Sequence, residues 1–188
     1  MERAKALTVV KKVLPQARYE HTLGVVESSL ELAEAYGVDM AKAEMAAIFH
    51  DYAKYRDRDE MQRIIREEPI LPDLLLQYHH ELWHAPVGAL LVEREWGVTD
   101  REVLLAIASH TTGRPNMMPL EQVVFVADAI EPGRTYPGVE QLREKAKQSL
   151  EEACIAVSQH TIRFLLDREV TIYPLTLETY NAFVQRKG

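Results

Sequence analysis

Three observations predict an all-α fold, a single compact helical bundle over residues 1–188. Apolar residues recur three and four positions apart along most of the chain, the period of one helix face. Gly and Pro fall between those stretches or in their first turns, where they stop or start helices. Strand-like alternation is confined to Val170-Thr171-Ile172-Tyr173, too little for a sheet.

The elements follow in order. Residues 2–14 form an amphipathic segment stopped by Pro15. Residues 18–36 place Leu23, Val26, Leu30 and Ala33 at helical spacing and close at Gly37. Asp39 caps a helix running through Met45, Ala46 and Ile48 to His50. Asp57 or Asp59 opens a charged helix to about Glu67, and Pro69 and Pro72 follow it. Residues 73–80 read as a short helix, and Ala85 to Trp96 as another with Pro86 in its first turn and Gly97 beyond its end. Thr99 with Glu102 three residues on reads as a capping box for a helix reaching Ser109. Gly113, Pro115 and Pro119 mark a loop, and Leu120 to Ile130 is an apolar helix broken at Pro132-Gly133. Val139 to about Val170 supplies one or two helices, and Leu175 to Val184 the last. No repeat, low-complexity stretch or linker divides the chain, so one domain is expected.

At 21.5 kDa the chain is long enough to bury roughly 70% of its unfolded surface. Its 47% hydrophobic and 27% charged residues belong to an ordered globular protein. A net charge of −7 and pI near 5.5 argue against coating nucleic acid. They leave room for a small phosphorylated substrate, because a metal and a few cations reverse the field locally. Cys154 is the single cysteine, which excludes an intrachain disulfide and a thiolate zinc site. The opening MERAKALTVVKKVL has no signal-peptide core, and no apolar run approaches the roughly 20 residues of a membrane span. A cytoplasmic protein with no membrane or nucleic-acid partner is expected, and a homodimer is left open.

The chemistry lies in His21, the adjacent pair His50-Asp51, and Asp128. Imidazoles and carboxylates are what divalent transition metals take from proteins. Neighbours on an ordinary helix point about 100° apart, so His50 and Asp51 share a metal only where their helix ends or distorts. The following Ala53-Lys54-Tyr55-Arg56-Asp57 reads as that ending. His21 lies on a stripe with Val25 and Leu32, and Asp128 has Phe125 and Val124 three and four residues before it. A carboxylate placed so demands a cation.

H…HD…D in a helical chain resembles the HD superfamily of metal-dependent phosphohydrolases. Four further blocks sharpen this: HDYAK at 50–54, His84-Ala85-Pro86-Val87-Gly88, SHTTG at 109–113 and ADAIEPGR at 127–134. Together they resemble the YqeK-type symmetrical bis(5'-nucleosyl)-tetraphosphatases, from about residue 18 to the C-terminal helix. The resemblance implies one HD domain, with a metal core at about 18–134 and helices of 139–185 packed on it. It implies hydrolysis of diadenosine tetraphosphate to two ADP, with His21, His50, Asp51 and Asp128 as ligands of one metal, iron first, with Mn, Co or Zn as alternatives. Open coordination positions would take water and a phosphate oxygen, and Asp51 and Asp128 would also border the catalytic and substrate sites.

Beside these stand His84 and His110, expected as catalytic and phosphate-contacting groups, with a second metal as the lesser option. Lys54, at i+4 from His50, is expected to lean toward the metal edge and stabilise the phosphoryl transition state. Arg134 offers a planar fork for phosphate; Thr111 and Arg18 are weaker contacts. Which group, if any, is the general acid stays open. Trp83 and Trp96 read as core, His79, His80 and His160 as packing or surface, and Tyr136 and Tyr173 as candidates to line a nucleoside pocket. A nucleotidase acting on mono- or diphosphates and a non-catalytic nucleotide sensor are the competing readings.

Overall fold

The computed structural model describes residues 1–187. Among them the chain forms α1 (Arg3–Val13), α2 (Gln16–Tyr36), α3 (Met40–Phe49), α4 (Arg58–Glu67), α5 (His84–Trp96), α6 (Arg101–Ser109), α7 (Pro119–Ile130), α8 (Val139–Gln148), α9 (Leu150–Asp167) and α10 (Pro174–Lys187). No strand occurs among the described residues.

Local chemistry sets the boundaries. Gly37 and Gly97 end α2 and α5 in the left-handed region, at φ 67° and 66°, which a side chain would oppose. Asp39 and Asp57 cap α3 and α4, accepting from the amides of Lys42 and Glu60. The cap of α6 is Asp100, one residue later than the expected Thr99 box; its carboxylate takes the amides of Glu102 and Val103. An anion at the helix N-terminus displaces the neutral hydroxyl. Ser149, extended at φ −159°, separates α8 from α9 and caps the latter through Glu152.

One expectation fails on a longer-range effect. Residues 73–80 are not one helix but lie in two 3₁₀ turns, Asp73–Gln77 and His80–Leu82. Between them Tyr78 is extended, and the Trp83 indole N–H donates to the Leu75 carbonyl, fixing that break. Val170–Tyr173 forms no strand: with no other strand described, its backbone has no ladder partner, and it passes from Glu169 (φ 54°) into α10.

Helix α7 is central. Every residue from Leu120 to Ala127 is buried, so it packs on all sides, against α2, α3, α6, α8 and α9. Val123 on it and Phe49, Ile48 and Ile107 on α3 and α6 are fully covered, each contributing roughly 1.5–3 kcal/mol by burial. Glu121, buried on this helix, is matched by Arg114, Ser109 and the Met118 amide. The consequence for function is where chain ends meet. His21 on α2, His50-Asp51 after α3, His84 opening α5, His110 closing α6 and Asp128 near the end of α7 face one another.

Candidate active site

Helix α3 stops at Phe49, and the chain continues in tight turns. The amides of Tyr52, Lys54 and Arg56 bond carbonyls three residues back, at Phe49, Asp51 and Ala53. That change of pitch lets adjacent His50 and Asp51 point into one space. His50 Nε2 lies 3.3 Å from Asp51 Oδ2, 3.4 Å from His21 Nε2 and 4.0 Å from Asp128 Oδ1. His21 Nε2 lies 3.1 Å from Asp128 Oδ1 and 3.8 Å from Asp51 Oδ2. Donors at 2.0–2.2 Å from one ion sit about 2.9 Å apart when adjacent and about 4.2 Å apart when opposite; these separations fall within that range, and His21, His50 and Asp51 lie mutually close enough to share an ion.

The other face of Asp51 has a second group. Its Oδ1 is 3.1 Å from His84 Nε2 and 3.8 Å from His110 Nε2, and those two nitrogens are 3.0 Å apart. Asp51 therefore stands between two imidazole pairs.

The orientation of the rings is imposed from behind. The Nδ1 atoms of His50, His84 and His110 face the carbonyls of Ala47, Glu81 and Ile107, at 2.7, 2.6 and 2.8 Å. His21 Nδ1 faces Glu131 Oε1 at 3.1 Å. All four partners are acceptors, so each Nδ1 carries the hydrogen and, in a neutral ring, each Nε2 turns a lone pair inward. Lone pairs opposed at such distances, with two carboxylates beside them, need a cation. The donor set and its geometry thus fit a bound metal.

Electrostatics say the same. Burial pushes the Asp51 carboxyl up, but His50 and His84 outweigh it and hold its pKa well below the usual range. Burial likewise opposes ionised Asp128, yet His21, His50 and Arg134 draw it far down. Burial also opposes charge on His50, and Asp51 overturns that, raising its pKa. His110 goes the other way: burial first, then the neighbouring His84 and His50, push it down to about 3.

The rim is less fixed. Arg18 donates to Asp51 Oδ2 at 3.0 Å, and Arg134 to the carbonyl and Oδ1 of Asp128 at 2.9 and 2.8 Å. Both guanidiniums thus hold a carboxylate of the cluster, with side chains about a quarter to a third exposed. Thr111 Oγ1 lies 3.2 Å from His110 Nε2. Lys54 is not on a helix with His50, because the turns intervene; its ammonium pairs with Glu81 at 2.6 Å. Tyr136 stacks on His160 and donates to the Ala129 carbonyl, and Tyr173 packs on Tyr78, so both aromatics have internal partners. Sequence reasoning passed over Glu81 and Glu131. The latter sits inside the quoted ADAIEPGR block, so the signal was present but unassigned.

Residues 18–133 match the model of the HD domain family. The chain belongs to that family. A relative from Halalkalibacterium halodurans, named symmetrical bis(5'-nucleosyl)-tetraphosphatase, is 54% identical, with 96% of each chain covered. A relative of the same name from Bacillus subtilis is 50% identical, with 98% of each covered. A crystal structure from Clostridium acetobutylicum, described as a predicted HD superfamily hydrolase involved in NAD metabolism, superposes with a TM-score of 0.94. It is 35% identical, over 99% of this chain and 98% of that one. Family and His/Asp cluster together make this a divalent-metal site. Among the described residues no helix is long and apolar enough to cross a membrane.

Proposed function

We propose that this protein is a metal-dependent phosphohydrolase that cleaves diadenosine tetraphosphate symmetrically into two ADP in the cytoplasm. The observation that carries this is Asp51 set between two pairs of inward-facing imidazoles, in a chain whose near-full-length relatives bear that activity in their names. We read the chain as one HD domain, with α8 to α10 packed on the metal-bearing core.

His21, His50, Asp51 and Asp128 would hold the metal, iron first, with Mn, Co and Zn acceptable to the same nitrogen and oxygen donors. Such an ion supplies Lewis-acid pull on a phosphoryl oxygen and an activated water. The chain's own residues do the rest. Arg18 and Arg134 brace the two carboxylates from the solvent side and present their remaining N–H groups to phosphate oxygens. Lys54 exchanges Glu81 for a phosphate oxygen and stabilises charge developing on the departing ADP. His84, His110 and Thr111 border the opposite side of Asp51, in reach of a neighbouring phosphate. ADP leaves readily, so a dedicated general acid is not required.

A second reading has one specific support. His84 and His110 oppose their Nε2 atoms at 3.0 Å with both Nδ1 atoms committed, so a cation belongs between them, either a proton or a second metal sharing Asp51. Elemental analysis of freshly purified protein separates the two, at one or two metal equivalents per chain. Chromatography of products tests the reaction itself: two ADP and no free phosphate are expected. Phosphate release would favour a nucleotidase, and tight binding without turnover a sensor; either would overturn the proposal.

A further inference from the structure

Glu131, the residue that ends α7, is almost wholly covered, at 4% exposed, and both its carboxylate oxygens are committed. Oε1 accepts from His21 Nδ1 at 3.1 Å, and Oε2 from the Gly133 amide at 2.6 Å. Its own carbonyl and those of Ile130 and Arg134 are tied by Arg143 from α8, so the loop carrying it is clasped from the other side. A buried carboxylate is costly, and this one is offset by the His21 ring, the Gly133 amide and, at 3.8 Å, the Arg134 guanidinium.

The glycines nearby fit the same purpose. A Cβ on Gly24 would stand 2.5 Å from Glu131 Oε2, and one on Gly133 would stand 3.0 Å from it. Gly24 lies within α2, three residues after His21 and so on the same face. Glycine weakens a helix interior, and nothing in the backbone there requires it. What requires it is the carboxylate occupying the place of its side chain.

We infer that Glu131 is a positioning residue of the metal site: it holds the His21 ring with Nδ1 toward itself and Nε2 toward the cluster, and Gly24 is glycine to admit it. A carboxylate behind a ligating imidazole fixes ring orientation and raises its donor strength. Glutamine cannot replace it. Its single oxygen serves either His21 or Gly133, and the amide N–H₂ then meets a second donor. The inference rests on the metal-site reading but not on the choice of substrate.

Metal-free protein gives a test independent of metal binding. Gly24→Ala should lower the melting temperature of the parent by crowding Glu131. In a Glu131→Ala background the same change should raise it, because the room is vacant and alanine favours the helix. Titration with Mn²⁺ alone should show about 10- to 100-fold weaker binding in Glu131→Gln. Gly24→Ala should weaken binding in the parent, and by less than about twofold once Glu131 is already alanine. An Mn²⁺ affinity unchanged in Glu131→Gln, or a Gly24→Ala penalty of equal size in both backgrounds, would overturn the assignment.

Discussion

The floor of the site and its rim are held by different means. On the floor, three imidazoles are braced by main-chain carbonyls of the same turn and the fourth by a buried carboxylate. At the rim, Arg18, Lys54 and Arg134 keep partly exposed side chains and are held by ion pairs, Lys54 to a Glu81 that is itself half exposed. Backbone bracing is rigid and cannot be exchanged for a ligand. An ion pair near solvent is worth at most about 1 kcal/mol and yields to an incoming phosphate. The floor is therefore suited to keeping a metal, the rim to receiving and releasing a polyanion.

The largest test strikes the floor. His50→Ala and Asp51→Ala should abolish metal retention and cut hydrolysis by about a thousandfold or more, with circular dichroism near that of the parent. Asp51→Ala should be the worse of the two, since its oxygens serve both imidazole pairs. A variant that lost its metal yet turned over normally would break the distinction between floor and rim.

Acid should find the floor next. In chelator-treated protein, His110 titrates near 3 when folded, because of burial first and then His84 and His50. Unfolded, it titrates near about 6.5. Between those values the unfolded chain holds a proton that the folded chain refuses, so this group costs stability as pH falls from about 6.5 toward 3. Against His110→Gln, the parent should lose at most about 1.4 kcal/mol per pH unit across that window, measured by urea unfolding. Parallel curves for the two proteins would show that His110 is not buried as described.

The same contrast explains what could be read from the chain. Helices were legible because apolar spacing, Gly37, Gly97 and the Asp caps are local signals, and the floor because HD and its companions sit at helix ends. The 73–83 segment was not: its shape depends on Trp83 reaching back to Leu75. Nor were the partners of Lys54 on the rim and of His21 on the floor. Glu81 lies far along the chain from Lys54, and Glu131 stands 110 residues from His21, separations that no periodicity reports. Arg134 was expected as a phosphate fork, and its bracing of Asp128 was not legible.

Rim substitutions should spare the metal. Lys54→Ala is expected to lower turnover by about a hundredfold, the scale of losing one charge-stabilising donor, with metal content unchanged. Unchanged turnover would remove Lys54 from the site and leave its pairing with Glu81 purely structural.

The smallest effect belongs to Arg134. Its Nε holds the Asp128 carbonyl while Nη2 holds Oδ1, a division of labour that a planar fork permits and a single ammonium does not. Lysine at 134 would keep the positive charge but satisfy only one of these oxygens. Because the side chain is about a third exposed, water takes up much of the loss. Steady-state kinetics of Arg134→Lys should therefore show KM raised roughly two- to fivefold with kcat nearly unchanged. A large fall in kcat with bound metal lost would place Arg134 on the floor, as a strut of Asp128 that the cluster cannot do without.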